Sequence, residues 1–191
     1  MTEHTKGFEG RLVVEKIGGG RGYDWDHLRD ILYHANHQTF RIPTGTKTDL
    51  GSIPRCVAWY AARSGVAALV FALHDRLWRY YAALGHITYR EADAILRQAL
   101  RMTDVPLIQR WIIWTGVRYG ALTRPHGRRE WWKDLHLIAP WTLYALIFIA
   151  PPALVAQIFI WINQANEYIF YAAAKPFSRK RVNHPTLGKK I

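Results

Sequence analysis

The spacing of apolar positions changes along the chain, and this change predicts a strand region followed by helices. Residues 11–17, 30–34 and 38–42 are short segments of mixed apolar and polar side chains, in which Phe40 and Ile42 alternate with polar neighbours. Short segments of this kind are typical of strands. After them, the apolar positions recur with the spacing of a helix.

Three helices are predicted in the middle of the chain. The first extends over about residues 66–84. The second begins at Thr88, where Glu91 completes the pattern of a capping box. The third begins near residue 106, and Gly120 is expected to stop it. The inward-facing residues predicted for the second and third helices are Ala92, Ile95, Leu96, Ala99, Leu100, Leu107, Trp111, Trp114 and Val117.

This order of elements predicts an α+β fold in which short N-terminal strands are followed by a helical bundle. We expect a globular domain over residues 1–123 and a connector rich in basic and aromatic residues over residues 124–136. An apolar membrane segment is predicted over residues 137–166, and residues 167–191 are expected to form a basic, flexible tail.

The apolar segment contains no charged side chain and is longer than the roughly 20 apolar residues that a bilayer span requires. Trp131 and Trp132 precede it and Tyr168 follows it, as in the aromatic belts of membrane proteins. Pro151 and Pro152 interrupt it near its midpoint. A single span kinked at these prolines and a re-entrant hairpin both agree with this pattern. A hairpin buried in the core of a soluble protein is the third interpretation.

The charge of the chain favours contact with a membrane. The formal net charge is +12, and both flanks of the apolar segment are basic. The positive-inside rule would keep both flanks on the cytoplasmic side, which favours the hairpin, whereas each arm of a hairpin is short for a full crossing. The basic tail would attract anionic lipid, whereas nucleic-acid binding would rest on charge alone and is not favoured. The N-terminus has no signal-peptide pattern, and the single cysteine, Cys56, excludes a disulfide framework within the chain. We therefore expect the globular part in the cytoplasm, at the inner membrane.

His74 and Asp75 lie in a strongly apolar predicted helix and are the main candidates for chemistry. The residues four before and three after His74 are apolar, so its side chain is expected to face inward. Asp93 lies at the edge of the apolar face of the second helix, where a partly buried carboxylate needs a partner. A histidine near carboxylates can bind a metal ion or act as an oriented base. The same residues could instead brace the strands against the helices.

Three sets of candidate residues follow from this pattern. The catalytic candidates are His74, Asp75, Asp49 and Ser52. A divalent metal is the cofactor that the pattern suggests, and its candidate ligands are His74, Asp75, Asp49 and Asp93. The candidates for binding a substrate anion are Arg55, Arg79 and Arg118.

Several of these positions follow one another in a specific order. The order is Pro43-Thr44-Gly45, then Thr-Asp-Leu-Gly-Ser-Ile-Pro-Arg over residues 48–55, then His74-Asp75, Asp93 and Arg118-Tyr119-Gly120. In this order, about residues 10–121 resemble a phage and prophage family called domain of unknown function 1353. Thr46 and Trp78 depart from its pattern, in which Phe and Tyr are frequent. The resemblance implies no established activity, but it implies that these polar residues form one constellation: Asp49, Ser52, Arg55, His74, Asp75 and Asp93.

Together these patterns predict a phage- or prophage-encoded protein that docks a small α+β domain at the inner membrane of the host. Its expected partners are anionic lipid and a phage or host protein, and association with the virion agrees with the same pattern. The alternative is a membrane-tethered hydrolase, either metal-dependent or acid–base, that uses the cluster of Asp49, His74, Asp75 and Asp93.

Overall fold

The computed structural model describes residues 7–10, 12–16, 25–35, 38–48, 55–57, 59–60 and 66–175. In this part of the chain, short strands come first and a series of helices follows. The predicted α+β class is therefore confirmed.

The strands form two small antiparallel sheets. The strands are β1 (Phe8–Glu9), β2 (Val14–Lys16), β3 (Trp25–His27), β4 (Ile31–Ala35), β5 (Gln38–Ile42) and β6 (Lys47–Thr48). One sheet has the order β1-β4-β5 and the other has the order β2-β3-β6. In the first sheet Ile31 pairs with Ile42 and Tyr33 with Phe40, and all four are buried. The alternation predicted for Phe40 and Ile42 is thus confirmed.

Helices make up most of the remaining described chain. They are a 3₁₀ turn (Arg55–Val57), α1 (Val66–Arg76) with a π-helical continuation (Leu77–Ala82), α2 (Tyr89–Met102), α3 (Leu107–Leu122), α4 (Pro125–Trp131), a second 3₁₀ turn (Trp132–Asp134), α5 (Leu135–Phe148) and α6 (Ala150–Ala174). The predicted capping box is confirmed, because the Thr88 hydroxyl accepts from the Glu91 N–H at 3.1 Å and the Glu91 carboxylate accepts from the Thr88 N–H at 2.6 Å.

Two predictions about α3 are wrong. Gly120 does not stop the helix, which continues to Leu122. Leu107 does not face the core either; it is 54% exposed because it begins the first turn, at the edge of the packed region. Trp114 is buried as expected.

The core lies between the first sheet and α1, α2 and α3. Its largest fully buried apolar side chains include Phe8, Tyr33, Leu73, Leu77, Leu96 and Leu100. Trp131 from α4 and Ile138 from α5 belong to the same cluster. The segments predicted as a connector and as the start of a membrane segment therefore contribute to the core of the globular part.

The apolar segment is broken near its predicted kink. α5 ends at Phe148 and α6 begins at Ala150, while Pro151 lies in the first turn of α6, where a missing N–H is tolerated. Among the described helices, none has by itself the length and hydropathy of a membrane span. The segments Pro125–Phe148 and Ala150–Ala174 meet those criteria as a pair, with a bend of 54° between them.

The outer surface of α5 and α6 is strongly apolar. Large side chains that are more than half exposed there include Leu143, Leu146, Ile147, Phe148, Leu154, Phe159, Trp161, Ile169 and Phe170. By contrast, Ala153 is the one residue of α6 that the described structure buries. A hairpin buried in a soluble core does not agree with this exposure.

Candidate functional site

A buried carboxylate, Asp93, is the centre of the polar cluster. One of its oxygens (Oδ1) lies 2.7 Å from His74 Nε2 and accepts from Trp78 Nε1 at 2.7 Å, while Arg118 Nη1 donates to the other oxygen at 2.8 Å. Asp93 is fully buried, whereas the His74 side chain is 14% exposed. Because a carboxylate only accepts hydrogen bonds, His74 donates from Nε2. The lone pair of the neutral imidazole is then at Nδ1.

A second buried carboxylate, Asp134, stabilises the far side of Arg118. Arg118 Nη2 lies 3.3 Å from Asp134, and Arg90 donates to both Asp134 oxygens at 2.6–3.0 Å. These hydrogen bonds raise the pKa of the Arg90 guanidinium above its usual value. Pairing of this kind is what allows charged groups to be buried. The network links α2, α3 and the turn before α5.

Asp75 connects α1 to the second sheet. The Thr48 hydroxyl donates to Asp75 Oδ2 at 2.6 Å, and Arg79 Nη2 lies 3.9 Å from the other Asp75 oxygen. Arg79 also donates to the Lys47 carbonyl at 3.3 Å. These contacts attach β6 to α1, so this half of the cluster braces strands against helices.

A cavity of about 1440 Å³ opens beside these residues. His74, Asp75 and Arg79 line one side, and Arg124 and His126 lie at its edge. The opposite walls come from α3, α5 and α6 and are mainly apolar.

Two glycines of α3 help to create this space. Gly116 and Gly120 both line the cavity. Apart from their chain neighbours and the surrounding backbone of α3 itself, no heavy atom lies within 4 Å of the position that a Cβ would occupy on either. Being four residues apart, they lie on one face of the helix. The absence of side chains on that face leaves the cavity open.

The structure brings together part of the predicted site. His74, Asp75 and Arg79 share one wall of the cavity. Asp93 lies behind them. Arg118 is fully buried, so the position of Arg118 is better suited to pairing with Asp93 than to contact with a substrate anion. The other candidates lie outside the described residues; they are Asp49, Ser52 and the side chain of Arg55.

The metal site predicted for this cluster is not assembled by the described residues. Among them, no group of three or more His, Cys, Asp or Glu side chains is placed to hold a metal ion. Asp93 already accepts from three donors. A metal site that also uses Asp49 stays a prediction.

Sequence reasoning missed Trp78, Asp134 and Arg90 as members of the cluster. Trp78 stands four residues after His74, and this spacing places the two side chains on one helix face, so a local signal was present. Asp134 and Arg90 are separated by 44 residues, and no local spacing could have paired them.

The comparisons with known proteins concern the first part of the chain. Residues 25–117 match the family DUF1353. The family is described as a protein of unknown function. No curated protein and no solved structure gives a significant match.

The DUF1353 match confirms the resemblance predicted from the polar motifs. The matched region contains His74, Asp75 and Asp93, so the His74–Asp93 hydrogen bond and the contact of Asp75 with β6 both lie within it. It ends one residue before Arg118, and the apolar helices α5 and α6 lie beyond it.

Proposed function

We propose that the protein is membrane-associated, with the outer surface of α5 and α6 in the bilayer. The α+β domain then lies at the cytoplasmic face of the inner membrane. The observation that carries this proposal is the exposure of large apolar side chains along both helices. Phe159 is 66% exposed, Ile169 is 62% exposed and Phe170 is 74% exposed.

An apolar surface of this extent is rare on soluble monomers and is typical of membrane or protein interfaces. The residues near the start of α5 favour the membrane. Trp132 is 66% exposed, and Arg128, Arg129 and Lys133 surround it in sequence. Exposed tryptophan and basic side chains are typical of the interface between a bilayer and the cytoplasm.

Flotation of the full chain with lipid vesicles tests this proposal. We expect the protein to float with vesicles that contain phosphatidylglycerol, and Phe159→Asp combined with Ile169→Asp to lose most of this binding. The matched control is Leu84→Asp, because Leu84 is 59% exposed but lies outside α5 and α6, in the turn after the π-helical continuation of α1. Equal flotation of the double variant and the control would contradict the proposal.

A phage or prophage origin, with a phage or host protein as partner, belongs to the same proposal. The order of motifs that resembles DUF1353 supports the origin, and the apolar surface is also suited to a membrane-embedded partner. Crosslinking in membranes of cells that produce the protein tests for such a partner. We expect a crosslink from α6 to the partner, and we expect Phe159→Asp to remove it. Crosslinks that form equally with Leu84→Asp and Phe159→Asp would contradict a partner at α6.

The second candidate function is hydrolysis at His74. The observation that favours it is the 2.7 Å bond from His74 to Asp93 beside the cavity, because it orients the ring and leaves Nδ1 as the proton acceptor. Asp75 and Arg79 share the same wall.

An assay on ester and phosphoester amphiphiles tests the hydrolase. We expect His74→Gln to lower turnover by about 10²–10⁴-fold. Its unfolding should stay close to that of the wild type, because the amide can still donate to Asp93 but cannot accept a proton at nitrogen. A chelator separates the metal-dependent hydrolase, which it inactivates, from the acid–base hydrolase, which it leaves active. Turnover that persists in His74→Gln would contradict the assignment.

A further inference from the structure

The cavity beside His74 has one polar end and one apolar end. Its apolar walls include Phe71, Ile113, Val117, Leu146 and Leu154 from four helices. At about 1440 Å³ it exceeds the roughly 300–1,000 Å³ that is usual for small-molecule sites. This volume suits a ligand that contains a long hydrocarbon chain.

The apolar end of the cavity reaches the surface that we propose to lie in the bilayer. Leu146 and Leu154 line the cavity, yet they are 61% and 60% exposed. They therefore stand at its rim, on the outer face of α5 and α6. A lipid chain could enter along this rim without leaving an apolar environment.

The polar end carries more positive than negative charge. Arg79 and Arg124 line it together with Asp75. Arg124 has no acidic partner among the described residues, and its guanidinium lies 5.9 Å from the centre of the Trp78 ring, within cation–π distance. Trp78 is held in turn by Asp93. A guanidinium placed in this way is suited to a phosphate.

We propose that this cavity binds a membrane amphiphile with a phosphate headgroup. Its hydrocarbon chain lies between α3, α5 and α6, and its phosphate lies between Arg79 and Arg124. The inference rests on the proposed membrane association and adds the class of ligand. The phosphate can belong to a glycerophospholipid or to a polyprenyl phosphate, since both share this chemistry.

The test compares the lipid bound to purified variants of the full chain. Gly116→Leu and Gly120→Leu fill the cavity from α3, where a Cβ meets no other atom within 4 Å. Arg124→Gln removes the phosphate contact, and Arg101→Gln, in the last turn of α2 and outside the cavity, is its matched control. Extraction and mass spectrometry measure bound lipid per chain, and the fragment masses distinguish diacyl lipids from polyprenyl phosphates.

We expect about one phosphate-bearing lipid per chain in the wild type and in Arg101→Gln, and almost none in the glycine variants. Arg124→Gln should bind short-chain phosphatidylglycerol about tenfold more weakly, with unchanged affinity for a short-chain diacylglycerol, which has no phosphate. The glycine variants should still float with vesicles, so that loss of the ligand and failure of membrane association are separate results. Equal lipid content in the glycine variants and the wild type would overturn the proposal, as would a wild type without bound phosphate lipid.

Discussion

At the scale of single residues, Asp93 is the group on which the polar cluster depends. It is fully buried, and His74, Trp78 and Arg118 supply the three donors that compensate for its lost hydration. Arg118 is also fully buried, so each charge depends on the other. Breaking such a pair leaves an uncompensated charge in the core, which costs more free energy than the pair contributes.

We therefore predict that Arg118→Met lowers the free energy of unfolding by about 3–5 kcal/mol. The control is Lys133→Met, because Lys133 pairs with Glu130 at the surface and its side chain is 60% exposed. That variant should lose about 1 kcal/mol or less. Urea unfolding of both variants measures the difference, and similar losses would show that the Asp93 pair is not buried as described.

Asp30 gives a prediction about acid stability. The Thr44 N–H and then the Arg41 side chain hydrogen-bond its carboxylate and lower its pKa from 3.8 to about 2. A lowered pKa in the folded state means that the stabilisation is present above 3.8 and is lost as the pH falls through about 2. Melting temperatures of the wild type and Asp30→Asn should therefore differ at neutral pH and converge near pH 2. A constant difference would contradict the assignment to Asp30.

At the scale of elements, α3 shows why glycine does not always end a helix. Its glycines at 116 and 120 face open space, and the helix continues past both. The capping box of α2 was predictable because its two hydrogen bonds join residues three apart. The end of α3 was not, because glycine terminates a helix only where the following chain adopts a suitable turn.

The glycines of α3 and α4 should respond to substitution in opposite ways. Gly120→Ala should raise the free energy of unfolding by about 0.5–1 kcal/mol, because alanine favours the helix and a Cβ meets no atom there. Gly127→Ala should lower it, since a Cβ would lie 2.7 Å from the Ala121 carbonyl oxygen. Thermal unfolding of the two variants measures whether each substitution raises or lowers the stability. A loss of stability in Gly120→Ala would contradict the open cavity.

At the scale of the whole molecule, the globular part and the apolar helices share one core. Ile138 of α5 is fully buried, and the rings of Trp141 and Trp111 stack with centroids 5.6 Å apart. Asp134, just before α5, completes the network of Arg118. The boundary predicted at residue 136 therefore separates residues that pack together.

We predict that a chain ending at residue 136 is less stable than one ending at residue 160. Loss of Ile138 alone should lower the free energy of unfolding by about 2–5 kcal/mol, as for other buried aliphatic side chains. The longer chain keeps α5 and the first turns of α6. Circular dichroism during thermal unfolding compares the two, and equal midpoints would contradict a role for α5 in the core.

The sequence by itself determined the features that depend on neighbours within a few residues. These include the alternation of Phe40 and Ile42 in β5, the start of α2, the inward face of α1 that carries His74, and the break near Pro151. Periodicity and capping depend on backbone geometry, so they can be read from local spacing. The family resemblance could also be recognised from the order of the polar motifs.

Only the tertiary structure decided which polar residues meet and where space remains between the helices. Asp93 bonds to partners 15, 19 and 25 residues away, and Arg90 to one 44 residues away. Contacts over such distances depend on how whole helices pack, and no local spacing encodes that packing. The cavity has the same origin. It is lined by glycines of α3, leucines of α5 and α6 and arginines near α1 and α4, and these residues come together only when the helices assemble.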